Sequence, residues 1–165
     1  MKKIIIKIFR VIKRWEENDR QKNLRVKYRL PDSFRFNGLH IAIYGSGNLI
    51  VGDNSYIGSF STIQLHPEHT VKIGVGCSIS HNVRLYTSSK VPDGNFENKA
   101  AVLEKKGDII IGDYVWIGAN VFINPNVKIG ANSVIGANSV VTKDIEPFSI
   151  YGGVPARLIR MKKDA

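Results

Sequence analysis

From residue 43 the chain reads in blocks of six, and this period constrains the fold more tightly than any other feature. Nine blocks are clear, opening at Val51, Ile57, Ile73, Ile79, Ile111, Ile117, Ile123, Ile129 and Ile135. The opener is usually followed by glycine, the fourth position is often Asn, and the fifth is usually Val or Ser. One obligatory aliphatic every six residues fits neither the roughly 3.6-residue period of an amphipathic helix nor a plain two-residue alternation. It fits a short strand and a tight corner, repeated. The aliphatic points inward, and Gly or Asn supplies the positive φ that corners need. Successive turns then stack as parallel strands about 4.8 Å apart around a ladder of buried aliphatics. The fold class is all-β, a β-solenoid.

Two segments depart from the period. In residues 1–15, Ile5, Ile8, Phe9, Ile12 and Trp15 form one stripe of an amphipathic helix, and six Lys or Arg occupy most of the rest. Such a helix either packs its stripe on the body or on a neighbouring subunit, or lies on an anionic membrane surface. Residues 88–107 form the other departure, a loop long enough to be read as functional rather than as a simple connection. The domain reading is therefore a basic helical segment 1–38, a solenoid 39–148 with the inserted loop 88–107, and a tail 149–165.

Charge and composition narrow the function classes. The net charge is +10, but residues 1–35 hold 12 basic against 4 acidic residues while the long middle is nearly neutral. A nucleic-acid surface would spread basic residues along its recognition face, so no nucleic-acid partner is expected. A single cysteine, Cys77, excludes an internal disulfide framework and reads as a small core residue. The short apolar patch at the start is broken by Lys7 and Arg10, with no cleavage site after it, so a signal peptide is rejected. A cytoplasmic protein is expected, with contact at the inner face of the membrane as the option that the basic helix leaves open.

The repeats resemble those of the hexapeptide-repeat acyltransferases. The likeness is strongest in Gly112-Asp-Tyr-Val-Trp-Ile-Gly-Ala-Asn-Val121, in Val140-Val-Thr-Lys-Asp-Ile145 and in the tail from Gly152 to Arg160. Within that family it looks like the galactoside, maltose and surface-polysaccharide O-acetyltransferase branch. The resemblance implies a left-handed parallel β-helix of three hexads per coil, although the general rule for parallel crossovers gives the opposite hand. It also implies acetyl-CoA as co-substrate with no metal, a homotrimer, and an active site walled by the protruding loop between neighbouring subunits. The implied acceptor is a sugar or glycan hydroxyl in surface-polysaccharide synthesis.

The same resemblance places the cofactor. Ala119 and Ala137 match positions whose backbone meets the pantetheine arm, and Thr142, Lys143, Arg157 and Arg160 match positions at the adenine and phosphate end, where cations make charge-assisted bonds. Trp116 matches an aromatic of the acetyl and acceptor pocket, Glu68 falls near an acidic acceptor-binding position, and Lys90 is expected on the acceptor side with them. Transfer to a hydroxyl needs a base, and histidine is suited to it near neutrality. Here the chain departs from the pattern, because the usual histidine position holds Lys90, a strongly hydrated cation and a poor base. His81 is the expected catalytic base. His66 or His69, or no catalytic histidine at all, are the alternatives, and His40 reads as structural. Competing functions are an amino-sugar N-acetyltransferase, a streptogramin-type antibiotic acetyltransferase, and a non-catalytic β-helix scaffold. A zinc carbonic anhydrase of the same shape is disfavoured, since the histidines lack the spacing it requires.

Overall fold

The structure is a computed structural model describing residues 2–94, 96–97 and 102–163. A long helix, α1 (Lys2–Tyr28), leads into stacked coils. The first coil holds β1 (Arg35–Asn37), β2 (Ala42–Gly45) and β3 (Asn48–Val51), and the second β4 (Tyr56–Gly58), β5 (Thr62–Leu65) and β6 (Thr70–Ile73). In the third, β7 (Ser78–Ile79) and β8 (Arg84–Tyr86) are followed by a hairpin, β9 (Ser88–Lys90) with β10 (Glu104–Lys106), before β11 (Ile109–Ile111) resumes the coil. The fourth coil has β12 (Trp116–Ile117), β13 (Phe122–Ile123) and β14 (Val127–Ile129); the fifth has β15 (Val134–Ile135) and β16 (Val140–Val141). Then come β17 (Ser149–Gly152) and β18 (Arg157–Met161).

These strands make three parallel faces of a left-handed β-helix of about five turns. The first face runs from β1 through β4, β7, β12 and β15 to β17, with β18 antiparallel at its end; the second links β2, β5, β8, β13 and β16; the third links β3, β6, β11 and β14. Parallel pairing therefore begins at Arg35 and reaches Tyr151.

Register explains the hexad. On the first face Ile57, Ile79, Ile117 and Ile135 sit directly over one another, each fully buried. Ile43, Ile63, Leu85, Ile123 and Val141 do the same on the second, all buried. Burial of each such side chain stabilises the fold by about 1.5–3 kcal/mol. The fourth hexad position takes positive φ at Asn54, Phe60, Asn82, Tyr114, Asn120, Asn126, Asn132 and Asn138, the corner geometry the Asn-rich pattern foretold. Serines at the fifth position are also buried, and their hydroxyls donate to carbonyls, as Ser55 does to Gly74 at 2.7 Å and Ser139 to Gly136 at 2.7 Å. The second-position glycine allows close stacking. A Cβ on Gly118 would stand 2.6 Å from the Ala137 nitrogen.

The N-terminal helix differs from the expected stripe in length and placement. It extends to Tyr28, and its C-terminal part is tied to the first coil. Arg25 donates to the carbonyls of Pro31 (2.9 Å) and Phe34 (2.6 Å) and lies over the Phe36 ring, while Leu24 and Tyr28 pack against the core. No residue of the helix is fully buried, and the Ile5–Trp15 stripe does not pack on the body of its own chain.

Replacing Ile117 with Ala opens a cavity in the middle of a four-isoleucine ladder. Denaturant unfolding should show a loss of about 2–5 kcal/mol. A loss under 1 kcal/mol would mean the ladder is not the core.

Candidate active site

Site residues stand where corners stack. At the corner between the first and second faces, the residue just before each left-handed Asn lies on the edge. Three successive coils place His81, Ala119 and Ala137 there, and the chain stacks them with backbone bonds from Asn120 N–H to the His81 carbonyl (3.0 Å) and from Asn138 N–H to the Ala119 carbonyl (2.8 Å). A second ladder runs alongside, with the Asn82 side-chain amide donating to Asn120 and that of Asn120 to Asn138, each at 2.9 Å. The two alanines leave a shallow track on this edge. Trp116, 56% exposed, stands on the outer surface of the first face three residues before Ala119.

The coils end just beyond Ala137. There the segment 153–156 turns against Val140, whose N–H donates to the Gly153 carbonyl and whose carbonyl receives the Ala156 N–H. Arg157 follows, exposed, and lines a cleft of about 410 Å³ together with Lys143, Asp144 and Tyr151. Thr142 adjoins Lys143 on the chain, and Arg160 lies on β18 opposite Ile150.

A different edge, between the second and third faces, carries the other candidates. The corner of the second coil is His66-Pro67-Glu68-His69, with Glu68 at positive φ and exposed. The protruding hairpin leaves from the next coil on this edge. Its root is tied down, since the Thr87 hydroxyl donates to the Gln64 carbonyl (3.0 Å) and accepts the His66 N–H (2.7 Å), and Ser88 N–H donates to the Gln64 side chain (3.2 Å). Lys90 is on β9, paired opposite Glu104, with its ammonium 5.7 Å from the Phe96 ring centre. Glu68, Lys90, His66 and His69 therefore share one edge, whereas His81, Ala119 and Ala137 share another.

Hydrogen-bond partners fix what each imidazole can do. His81 Nδ1 faces the Ser59 N–H at 3.0 Å. An amide can only donate, so Nδ1 accepts and the ring proton of neutral His81 sits on Nε2. In that tautomer Nε2 carries the ring proton and is the donor. His66 and His69 are the reverse. His66 Nδ1 faces the Pro67 carbonyl at 2.9 Å, and His69 Nδ1 faces Asp108 Oδ1 at 3.2 Å. Both partners accept, so each Nδ1 carries the proton and each Nε2 holds a free lone pair. Asp108 is itself held by the Thr70 N–H at 2.9 Å. The two rings lie 5.7 Å apart. The sequence reading passed over Asp108 and Ser59. Asp108 precedes Ile109, which pairs with Val71, so it falls beside Thr70 and His69 once the register across the loop is known.

The remaining candidates stay structural. Cys77 is fully buried with its thiol aimed at the Gly112 carbonyl (3.1 Å), and burial pushes that thiol above its ordinary pKa, the opposite of an activated nucleophile. His40 occupies the first-coil corner and stacks on Phe60.

A β-helix of stacked hexads, with small residues on one edge and a cleft of Lys143 and Arg157 at its C-terminal end, belongs to the class of hexapeptide-repeat proteins. The family models for the bacterial transferase hexapeptide (six repeats) and for the hexapeptide repeat of succinyl-transferase match residues 108–143 and 48–86. A hexapeptide-repeat acetyltransferase of Vibrio cholerae O1 biovar eltor, complexed with acetyl coenzyme A, is 30% identical with TM-score 0.65, over 90% of this chain and 79% of that one. A galactoside acetyltransferase in complex with coenzyme A is 31% identical with TM-score 0.65, over 90% of this chain and 82% of that one. A chloramphenicol acetyltransferase of Agrobacterium fabrum is 45% identical over 75 residues, 46% of this chain but 35% of the relative. The match thus spans about a third of that curated relative's length. The chain belongs to the hexapeptide-repeat acetyltransferases.

Long-range nitrogen–proton NMR near pH 8 should show His81 as the Nε2–H tautomer and His66 and His69 as Nδ1–H. Asp108→Ala should change the pattern of His69 alone. Identical tautomers at all three rings would refute the assignment.

Proposed function

We propose that the protein transfers the acetyl group of acetyl-CoA to a hydroxyl of a sugar or glycan acceptor. The observation that carries this reading is that the small-residue edge of Ala119 and Ala137 and the cleft shared by Lys143 and Arg157 both lie at the C-terminal coils. Pantetheine lies along the track, where larger side chains would crowd it, and the phosphates meet Lys143, Arg157 and Arg160, with Thr142 beside them. Trp116 borders the acetyl end.

In the reaction, the acceptor oxygen attacks the thioester carbonyl carbon and its proton passes to a base. The tetrahedral intermediate then expels the CoA thiolate, and that thiolate takes up the proton. His69, with its free Nε2 and with Asp108 on Nδ1, is the base in this reading. It stands one coil from Lys90, the position where related enzymes carry histidine, so the base is displaced along the same edge rather than lost. His81 acts at its Nε2–H as a donor to the oxygen that becomes negative. Within one chain the two edges are separated by the whole second face. A homotrimer resolves this, with the hairpin edge of one subunit, carrying His69 and Glu68, set against the cofactor edge of the next.

The name of the galactoside acetyltransferase supports a sugar hydroxyl as acceptor. A second reading, an antibiotic hydroxyl, is favoured by the chloramphenicol acetyltransferase match over 75 residues. Release of free CoA with galactosides, maltose and chloramphenicol as acceptors separates the two.

Sedimentation should give the mass of three 18.4 kDa chains; a monomer at assay concentration overturns the shared site. The Lys143→Ala, Arg157→Ala double variant should weaken acetyl-CoA binding at least 10-fold, and unchanged affinity would remove the groove.

His69→Ala should lower kcat by about 10²–10⁴-fold with acetyl-CoA affinity intact, and added imidazole should restore part of the rate. His81→Ala should cost about 10²–10³-fold without rescue, as loss of an oxyanion donor does. Rescue at His81 and not at His69 would return the base to His81.

A further inference from the structure

The free end of α1 presents a surface that acetyl transfer does not use. Ile4, Ile5, Ile8, Phe9, Ile12 and Trp15 are all more than half exposed. At about 100° per residue they fall, with Val11, in one arc of the helix, while Lys2, Lys3, Lys7, Arg10, Lys13 and Arg14 fall in the other. No acidic residue occurs before Glu16. The direction of the two arcs is the unusual feature. The polar side faces the protein's own first coil, where Arg10, Lys13, Arg14 and Glu17 line an open cleft of about 580 Å³ with Phe36 and Leu39. The apolar arc therefore points away from the body, although a helix that stabilised its own domain would turn that arc inward.

Charge decides between the two occupants of such a face. A second copy of the helix would bring six more cations against six, with no acid in either segment to offset them. An anionic lipid surface complements both arcs at once. The apolar side chains enter the boundary of the acyl chains, and Lys2, Lys7, Lys13 and Arg14, which border the arc, reach the phosphates.

We propose that residues 2–15 dock the protein on an anionic phospholipid surface. The segment is about 21 Å long at the rise of a helix. The anchor formed by Arg25 and Tyr28 fixes its root to the first coil, at the opposite end of the solenoid from the cleft of Lys143 and Arg157. The bound protein then keeps its cofactor end away from the bilayer.

The test is co-sedimentation of the full chain with vesicles of phosphatidylcholine alone and of phosphatidylcholine with 30% phosphatidylglycerol. Binding should require the anionic lipid and weaken as salt is raised. Lys7→Gln with Lys13→Gln should lower the partition coefficient about 30-fold. Ile8→Glu with Ile12→Glu should abolish binding and leave the melting temperature unchanged, since neither side chain is buried. Failure to bind anionic vesicles, equal binding to both vesicle types, or a double-glutamate variant that still binds would overturn the proposal. So would a change in the sedimenting mass of that variant in lipid-free buffer, which would assign the face to a second copy of the chain. Acetyl transfer to a soluble acceptor is a separate readout and should be the same in all of these variants.

Discussion

Everything on this surface depends on one backbone bond, made again at each corner. A residue in the left-handed region donates its N–H to the carbonyl one coil below: Phe60 to Leu39 at 3.0 Å, Asn82 to Ser59 at 2.8 Å, Asn120 to His81 at 3.0 Å, and Asn138 to Ala119 at 2.8 Å. The carbonyl that accepts belongs to the residue just before the next corner, which is the residue displayed on the edge. One bond thus sets the turn, the register of the coils and the spacing of the site. Its cost is the positive φ, about 1–2 kcal/mol for an ordinary L residue and less for Asn. The amide ladder of Asn82, Asn120 and Asn138 adds side-chain bonds at the same corners.

The parts of the fold that are periodic were the parts legible beforehand. Hexad position alone assigns Ile57, Ile79, Ile117 and Ile135 to one ladder, and it assigns His81, Ala119 and Ala137 to one edge, because equal positions in successive repeats must stack. Where the period breaks, that inference fails. His69 and Asp108 are separated by the loop, and their meeting depends on a register that no repeat count across residues 88–107 supplies. The tautomer of His81 was also out of reach, because it is decided by a backbone N–H at Ser59, and a main-chain donor leaves no mark in the residue pattern. In α1 the apolar stripe ends at Trp15, yet the helix continues to Tyr28. Polar contacts along the helix continue it, such as Arg20 to Glu17 at 2.7 Å, before Leu24 and Tyr28 reach the core.

The distribution of charge follows the same division. The coiled middle is nearly neutral, and positive charge collects at the two ends, in α1 and around β18. These ends are also where the fold is least constrained by stacking. A hexad interior admits few charged side chains, because its inward positions are buried and its corner positions are short. Charged side chains therefore gather in the segments that precede and follow the repeat, in the hairpin that interrupts it, and at a few corners such as that of Lys143.

β18 has a consequence for how the chain behaves in concentrated solution. A parallel face built by repetition has no intrinsic end, and its last strand offers unpaired N–H and carbonyl groups to any extended segment nearby, including another molecule's. β18 runs back antiparallel along β17 and occupies that edge. Its side chains are exposed from Arg157 to Met161, and two of them are arginines, which discourage a further strand from adding. The strand that brings Arg157 beside Lys143 is thus the same strand that covers the end of the first face, and a change that unpaired it would disturb the cleft and open a polymerisation surface together.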